Sequence, residues 1–456
     1  MSTTYYVSPR GNDANAGTDV THAWRHLQEA MNAATPGSTV LVEPGVYNEK
    51  VTVNVSGNAT DGFITFQAVG HVTITGRGLP AGNIITIANK NYIQIIGFNV
   101  QDDVNVHDAS GIRISGADDN IQILNNTVHH ITGNLALGIT AYGTDPTGGI
   151  SNLVISGNQI YNCQPSLGET LSVAGNVHDF SVTNNFVHDV NNIGIDFIGG
   201  EGFSNDPATD VVRNGEVSGN RVTRVHFTGI GRDGAGIFVD GSQNIIVERN
   251  TTWNDDIGIE VNAVRTGAIC TNVIVRDNYV FGNRGAGISV GASQLSDGTE
   301  QDCEVTNNTL FHDETKHNGD GEIRLQIGSG NLIENNVVVA LHGIPLIDGT
   351  FGSDNNTSDY NLLFCPGGPT NSAYEWNNFS YTGLSLYQGA TGQDLHSVIA
   401  NPLLLSPGSF SPRLSHKSPA INAGDPNFTP GAGETDYFGQ PRLQGTTVDI
   451  GAVEIG

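Results

Sequence analysis

The sequence predicts an all-β chain wound as a parallel β-helix solenoid, and three observations predict it. Glycine fills 59 of 456 positions while only 14% of residues are charged, against about 7% glycine and about a quarter charged residues in an ordinary globular chain. An Asn-x-Val/Ile step recurs at Asn99, Asn126, Asn158, Asn185, Asn220, Asn250, Asn278, Asn308 and Asn336. Between these asparagines lies a Gly-Ile-x-Val/Ile pattern at 111–115, 138–142, 194–198, 236–240, 258–262 and 287–291, with looser copies at 170–174 and 322–326. Short strands repeating every 30 residues or so, with no helices between them, fit stacked coils better than a sandwich.

The elements follow in chain order. In residues 22–34, "HAWRHLQEAMNAA", Trp24, Leu27, Ala30 and Met31 share one helical face, so a short capping helix is expected over the first coil. Residues 1–50 form this N-terminal cap and first coil, and 51–361 form the regular coils. Each coil pairs in register with its neighbours about 4.8 Å away. The repeated Asn is expected to tolerate a left-handed corner and to bond its amide to the Asn one coil on. Alternation within Gly-Ile-x-Val sends Ile112, Ile114, Ile139, Leu171, Val173, Ile195, Phe197, Ile237, Val239, Ile259, Val261, Ile288 and Val290 inward, and the x residue outward. Residues 362–456, rich in Gly and Pro, read as irregular C-terminal coils and cap.

The opening "YYVSPRGNDANAGT…AWRHLQEAMNAATPGSTVLVEPGVY" and the closing "SPAINAGD…DYFGQPR…VDIGAVE" resemble the two ends of right-handed β-helix proteins of the pectate-lyase-like superfamily. The resemblance implies the right-handed fold. It is compatible with polysaccharide lyases, polygalacturonase-type hydrolases, uronan epimerases, transglycosylases, tailspikes and passive adhesins, since fold alone does not choose an activity.

A formal charge of −27 opposes nucleic acid and anionic membrane surfaces as partners. It also opposes polyanionic glycans unless Ca²⁺ bridges the two, whereas neutral glycans meet no such penalty. Cys163, Cys270, Cys303 and Cys365 show no CxxC spacing and read as buried thiols, with Cys270 and Cys303 able to approach in neighbouring coils. No apolar run nears the about 20 residues of a membrane span. The N-terminus lacks the basic and apolar regions of a signal peptide, which leaves a cytoplasmic protein or a secreted one whose leader has been removed.

Extra residues collect at both turns flanking the Gly-Ile-x-Val strand: 132–137, 164–169, 226–235 and 313–321 before it, 143–149, 199–212, 263–270 and 292–302 after it. Two loop walls with a strand floor make a groove for a poly- or oligosaccharide. The outward column reads Arg113, Thr140, Ser172, Asp196, Phe238, Glu260, Ser289 and Arg324. The next column reads Ser115, Tyr142, Ala174, Ile198, Asp240, Asn262, Gly291 and Gln326. Asp196, Asp240 and Glu260 thus converge on one face with Asp233 and Glu201 on the walls, and these acids, Asp196, Asp240, Glu260 and Asp233, are the candidate catalytic residues. Tyr142, Glu201, Arg232, Phe238, Asn262, Arg265 and Arg324 are the candidate substrate contacts. Crowded carboxylates raise one another's pKa, which supplies the acid and the base of glycoside hydrolysis or transglycosylation without a cofactor.

Other chemistries remain open from the residues. A β-eliminating lyase needs a Lys or Arg base, for which Arg232, Arg265 or Arg324 could serve, and Ca²⁺ would be its companion ion. Asp233, then Asp255-Asp256, then 282–291 resembles the polygalacturonase-type layout, but Arg284 stands where that layout has a His, and one of the paired acids can shape the turn instead. "YGTDP" (142–146) is followed by Thr147 and not by the His of a uronan epimerase. The histidines of 128–130, 177–179, 187–189 and 311–313 read as structural. A non-catalytic glycan-binding, tailspike or adhesin rod would instead spread its acids over all faces.

Overall fold

The computed structural model describes residues 3–229, 234–350, 352–408, 410–431 and 433–455. The chain is an all-β parallel solenoid, and it divides into two compact units, Met1–Gly215 and Glu216–Gly456. The division falls inside the 51–361 repeat.

In the first unit one sheet stacks Thr4–Val7, Thr39–Val42, Ile64–Ala68, Asn91–Ile96, Asp118–Leu124, Ile150–Ser156 and Val177–Thr183, all parallel. The Gly-Ile-x-Val segments form another stack, in which Arg113 pairs with Thr140, Thr140 with Ser172 and Ser172 with Asp196. In the second unit the same stack pairs Phe238 with Glu260, Glu260 with Ser289 and Ser289 with Arg324. The expected columns therefore hold within each unit. Every residue assigned to the core from alternation is buried, Ile112 to Ile288 at 0% exposure and Val290 at 1%.

The asparagine ladder exists, with one correction. Asn126 Nδ2 donates to Asn158 Oδ1 at 3.1 Å, and Asn250 Nδ2 to Asn278 Oδ1 at 3.0 Å. The left-handed corner, however, belongs to the residue before each ladder Asn: Asn125, Asn184, Arg249, Asp277, Asn307 and Asn335 have φ between 54° and 57°. One residue turns the corner and the next makes the bonds, because a side chain committed to the coil above cannot also satisfy its own turn. Asn99 is also displaced from the ladder. Phe98 occupies the slot, its N–H donating to Asn126 Oδ1 at 2.9 Å.

A second ladder explains the glycine of Gly-Ile-x-Val. Val225 N–H donates to Asp255 Oδ1, Asp255 N–H to Asn283 Oδ1 and Asn283 N–H to Asp313 Oδ1, at 2.9, 2.9 and 2.8 Å. A Cβ at Gly236 would lie 2.7 Å from Asp255 Oδ2, and one at Gly287 would lie 2.6 Å from Asp313 Oδ2. The glycines leave room for these buried side chains.

The capping helix is shorter than expected, Leu27–Ala33. Leu27, Ala30 and Met31 are buried as expected, but Trp24 precedes the helix and bridges to Val7. Glu49 accepts the N–H of Leu27 at 2.9 Å and ends the need for a local cap. A second helix, Leu384–Thr391, lies in the segment read as irregular, set between Gly383 and a left-handed Gly392. The C-terminal residues also do more than close an end. Tyr437 Oη lies 2.6 Å from Thr251 Oγ1, Glu434 pairs with Arg276 at 2.6 Å, and Gly408 N–H donates to Tyr279 Oη at 3.1 Å. This segment runs back over coils of the second unit and covers their outer face.

Candidate functional site

In the first unit, the floor strands place Arg113, Thr140, Ser172 and Asp196 in one outward row, with Ser115, Tyr142, Ala174 and Ile198 two residues further on. Asp196 is 2% exposed, so the chain above it has removed it from bulk water. Arg113 Nη2 pairs with Asp108 at 2.7 Å, and its guanidinium lies 5.1 Å over the Tyr142 ring. The Phe203 ring sits 4.6 Å from Tyr142. Phe203 and Glu201 ride on a wall loop whose shape is fixed by Asp210, which accepts the N–H of Gly202 at 2.6 Å and of Ser204 at 2.9 Å. The loop read as a wall from coil length is thus an ordered loop.

The candidate residue that sequence reasoning missed is Glu169, at the head of strand Glu169–Gly175. Burial, reinforced by the negative charge of Glu201, pushes its carboxyl up to about 7 even though the Ser172 hydroxyl favours the ionised form. Ser172 is the register partner of Asp196. The segment 164–169 had marked itself only as a wall; nothing in the sequence separates this Glu from a solvated one.

The second unit carries Asp240, Glu260, Asn262, Phe238, Arg265 and Arg324. Asp240 faces Asn262 across the ladder, while Glu260 faces Phe238. Asp240 and Glu260 are therefore diagonal neighbours with Cα atoms about 8 Å apart, not a directly opposed pair. Asp240 Oδ1 accepts the N–H of Val264 at 2.8 Å, which shapes the turn after Asn262. Asn262 Nδ2 approaches Glu260 Oε1 at 3.5 Å. Phe238 is only 6% exposed, so its ring is not offered as an open stacking platform. Arg265 is exposed at the wall. Arg324 pairs with Asp320 at 2.8 Å and lies 4.0 Å from Asp348. Asp348 extends the outward column by one coil; burial pushes it up to about 7, with Arg324 opposing. Asp233 and Arg232 lie outside the described residues.

The paired acids separate cleanly. Asp255 is fully buried in the second ladder, where burial holds its carboxyl well above the usual range. Asp256 faces the wall. Burial would raise it, but the His226 hydrogen bond and the N–H groups of Phe227 and Gly234 bring it to about 2. Arg284 and Lys316 approach the same carboxylate at 3.3 and 3.7 Å. Asp256 thus holds the backbone of Phe227 and of Gly234 at one carboxylate oxygen. The recurring histidines take structural positions: His129, Tyr161 and His188 stack ring on ring at 4.7 and 5.0 Å. All four cysteines are buried free thiols. Among the described residues no group of three His, Cys, Asp or Glu is arranged to hold a metal ion, and no helix is long and apolar enough to cross a membrane.

Comparison with known proteins agrees with this fold. Residues 169–314 match the model of the right-handed beta helix region, and residues 9–199 match a family described as a protein of unknown function, DUF1565. Two solved structures are similar at a TM-score of 0.51 and 13% identity. One is the GH136 lacto-N-biosidase from Eubacterium ramulus, covering 79% of this chain and 66% of that one. The other is the Family 28 exopolygalacturonase of Yersinia enterocolitica, covering 79% and 76%. At such identity the likeness is one of fold. The uncharacterized protein YwoF of Bacillus subtilis is 32% identical over 434 residues, 91% of each chain. The chain therefore belongs to the family of YwoF, and its fold is that of a parallel β-helix.

Proposed function

We propose that this protein is a carbohydrate-active enzyme that cleaves glycosidic bonds with carboxylates of its strand floor. Its β-helix neighbours include a lacto-N-biosidase and an exopolygalacturonase, which supports the class. The observation that carries the reading is Glu169, a carboxyl that burial and Glu201 raise to about 7 and that interacts with Ser172, the register partner of Asp196. A carboxylic acid still protonated near neutrality can give its proton to a leaving glycosidic oxygen. Asp196 then serves the anomeric carbon, directly or through a water. Tyr142, with Phe203 beside it, offers a ring edge to the sugar, and Arg113 a cation already neutralised by Asp108. Asp240, holding the Val264 N–H, is assigned to the turn.

The test is a broad glycan panel read by reducing ends and by ultraviolet absorbance side by side. Glu169→Gln and Asp196→Asn are expected to lower kcat by about 100-fold or more, the usual worth of a positioned acid or base. Asp145→Asn, in a wall turn, is expected to leave it unchanged. Full turnover in both floor variants would remove this site. An absorbing product would mean β-elimination, with an Arg base and Ca²⁺ to be sought by chelation. A panel with no product at all would favour a non-catalytic glycan-binding rod.

A further inference from the structure

A separate groove lies on another face of the first unit, where the Asn-x-Val strands stack. It encloses about 400 Å³ and is lined by Val46, His71, Thr73, Arg77, Gln101 and Asp102 among others, within the 300–1,000 Å³ span of small-ligand sites. Along this row Thr75 pairs with Gln101, Gln101 with His129, His129 with Tyr161 and Tyr161 with His188. From His129 onward the row is filled by stacked rings at interplanar angles of 8° and 3°. The groove sits where the rings stop and small polar residues take their place.

Its polar floor is fixed in advance. Asn99 Nδ2 donates to Gln101 Oε1 at 2.8 Å and to Thr73 Oγ1 at 3.2 Å. Gln101 Nε2 donates to Asp102 Oδ2 at 2.9 Å, and Arg77 Nη2 donates to the same oxygen at 2.7 Å. Arg77 is carried by residues 76–83, which Lys50 pins by donating to Pro80 O at 2.7 Å, Gly82 O at 2.8 Å and Asp103 Oδ2 at 2.8 Å. Asp102 has φ 60°, a left-handed backbone that Asp accepts more readily than most residues. Side chains held this way lose little entropy on binding, which favours affinity for a polar ligand.

We propose that this groove is a binding subsite for a neutral saccharide. One cation and one anion cancel within it, and the −27 charge of the chain opposes an anionic ligand. The Arg77–Asp102 pair sets a donor beside an acceptor, which matches adjacent sugar hydroxyls. Val46, 66% exposed, gives an apolar patch for the C–H face of the ring. The inference stands on the groove's own chemistry and shares only the ligand class with the enzymatic reading.

The test measures binding of gluco-, xylo-, manno- and galacto-configured neutral hexasaccharides and of a galacturonate hexasaccharide. The wild type is expected to bind at least one neutral hexasaccharide more tightly than the galacturonate. Asp102→Asn and Gln101→Ala are expected to raise its Kd at least about tenfold. Val46→Trp, which fills the groove from an exposed position and leaves the hydrogen bonds intact, is expected to do the same without lowering the melting temperature. Glu169→Gln is expected to bind like the wild type. No neutral binding, binding that survives Val46→Trp, binding that is lost in Glu169→Gln, or a preference for the galacturonate would each overturn the proposal. Binding retained with no turnover in the wild type would count against the enzymatic reading alone.

Discussion

Arg442 is wholly buried, with Nε 3.1 Å from Asp277 Oδ1 and Nη1 3.3 Å from Glu454 Oε2. It also donates to the carbonyls of Asp449 and Gly451 at 3.0 and 2.6 Å. The closing motif "GQPR…VDIGAVE" is therefore a clasp: its Arg and its Glu meet each other and an Asp from an earlier coil. Replacing the guanidinium with an apolar chain strands buried charge, which costs about 3–5 kcal/mol. Arg442→Met is expected to lower the urea midpoint sharply, and Arg442→Met with Asp277→Leu to recover part of the loss. An unchanged midpoint in the single variant would show that the clasp carries no stability.

Asn278 serves both neighbours in the ladder. Its Oδ1 accepts the N–H and the Nδ2 of Asn250, at 2.9 and 3.0 Å. Its Nδ2 donates to Val247 O and Asn308 Oδ1 at 2.8 and 3.0 Å. Asn278→Ala leaves several buried polar groups unmatched, at about 1–3 kcal/mol each. Amide exchange at Asn250 is expected to accelerate well before that of distant coils. Equal protection in wild type and variant would contradict the role given to the ladder.

Asp313 predicts an unusual response to pH. Burial pushes its carboxyl up to about 7, with the Asn283 hydrogen bonds opposing. The folded state thus binds a proton more tightly than the unfolded chain does. Its stabilising contribution is present on the acid side and is lost as pH rises through about 7. Asp313→Asn can still accept the Asn283 N–H but no longer titrates. The wild type is expected to melt higher at pH 5 than at pH 8, and Asp313→Asn to narrow that gap by a few degrees. A variant with the same gap would place the titration elsewhere.

The columns of Ile and Val, the floor order from Arg113 to Asp196 and from Phe238 to Arg324, and the asparagine ladder were all legible in the sequence. Each rests on alternation within a strand and repetition between coils, and both are written directly in residue order. Asn99 misled because its neighbour Phe98 takes the ladder slot, a shift of one residue that the Asn-x-Val pattern does not resolve. Asp255 and Asp256 looked alike because adjacent residues in a turn point opposite ways only once the coil beneath is in place.

The sequence alone determined the solenoid, its core and the order of its outward columns within each unit, since a repeated local pattern admits one way of stacking. Tertiary structure decided which acids are desolvated. Glu169 is raised because it is buried, with Glu201 from a loop about 30 residues later adding to the effect, and Asp256 is lowered because, against the cost of burial, His226 and then the N–H groups of Phe227 and Gly234 bond to it. It also decided that residues 406–454 return over earlier coils, since Arg442 finds Asp277 only in the folded chain. A carboxyl's charge depends on what lies above it, and that cover comes from distant residues.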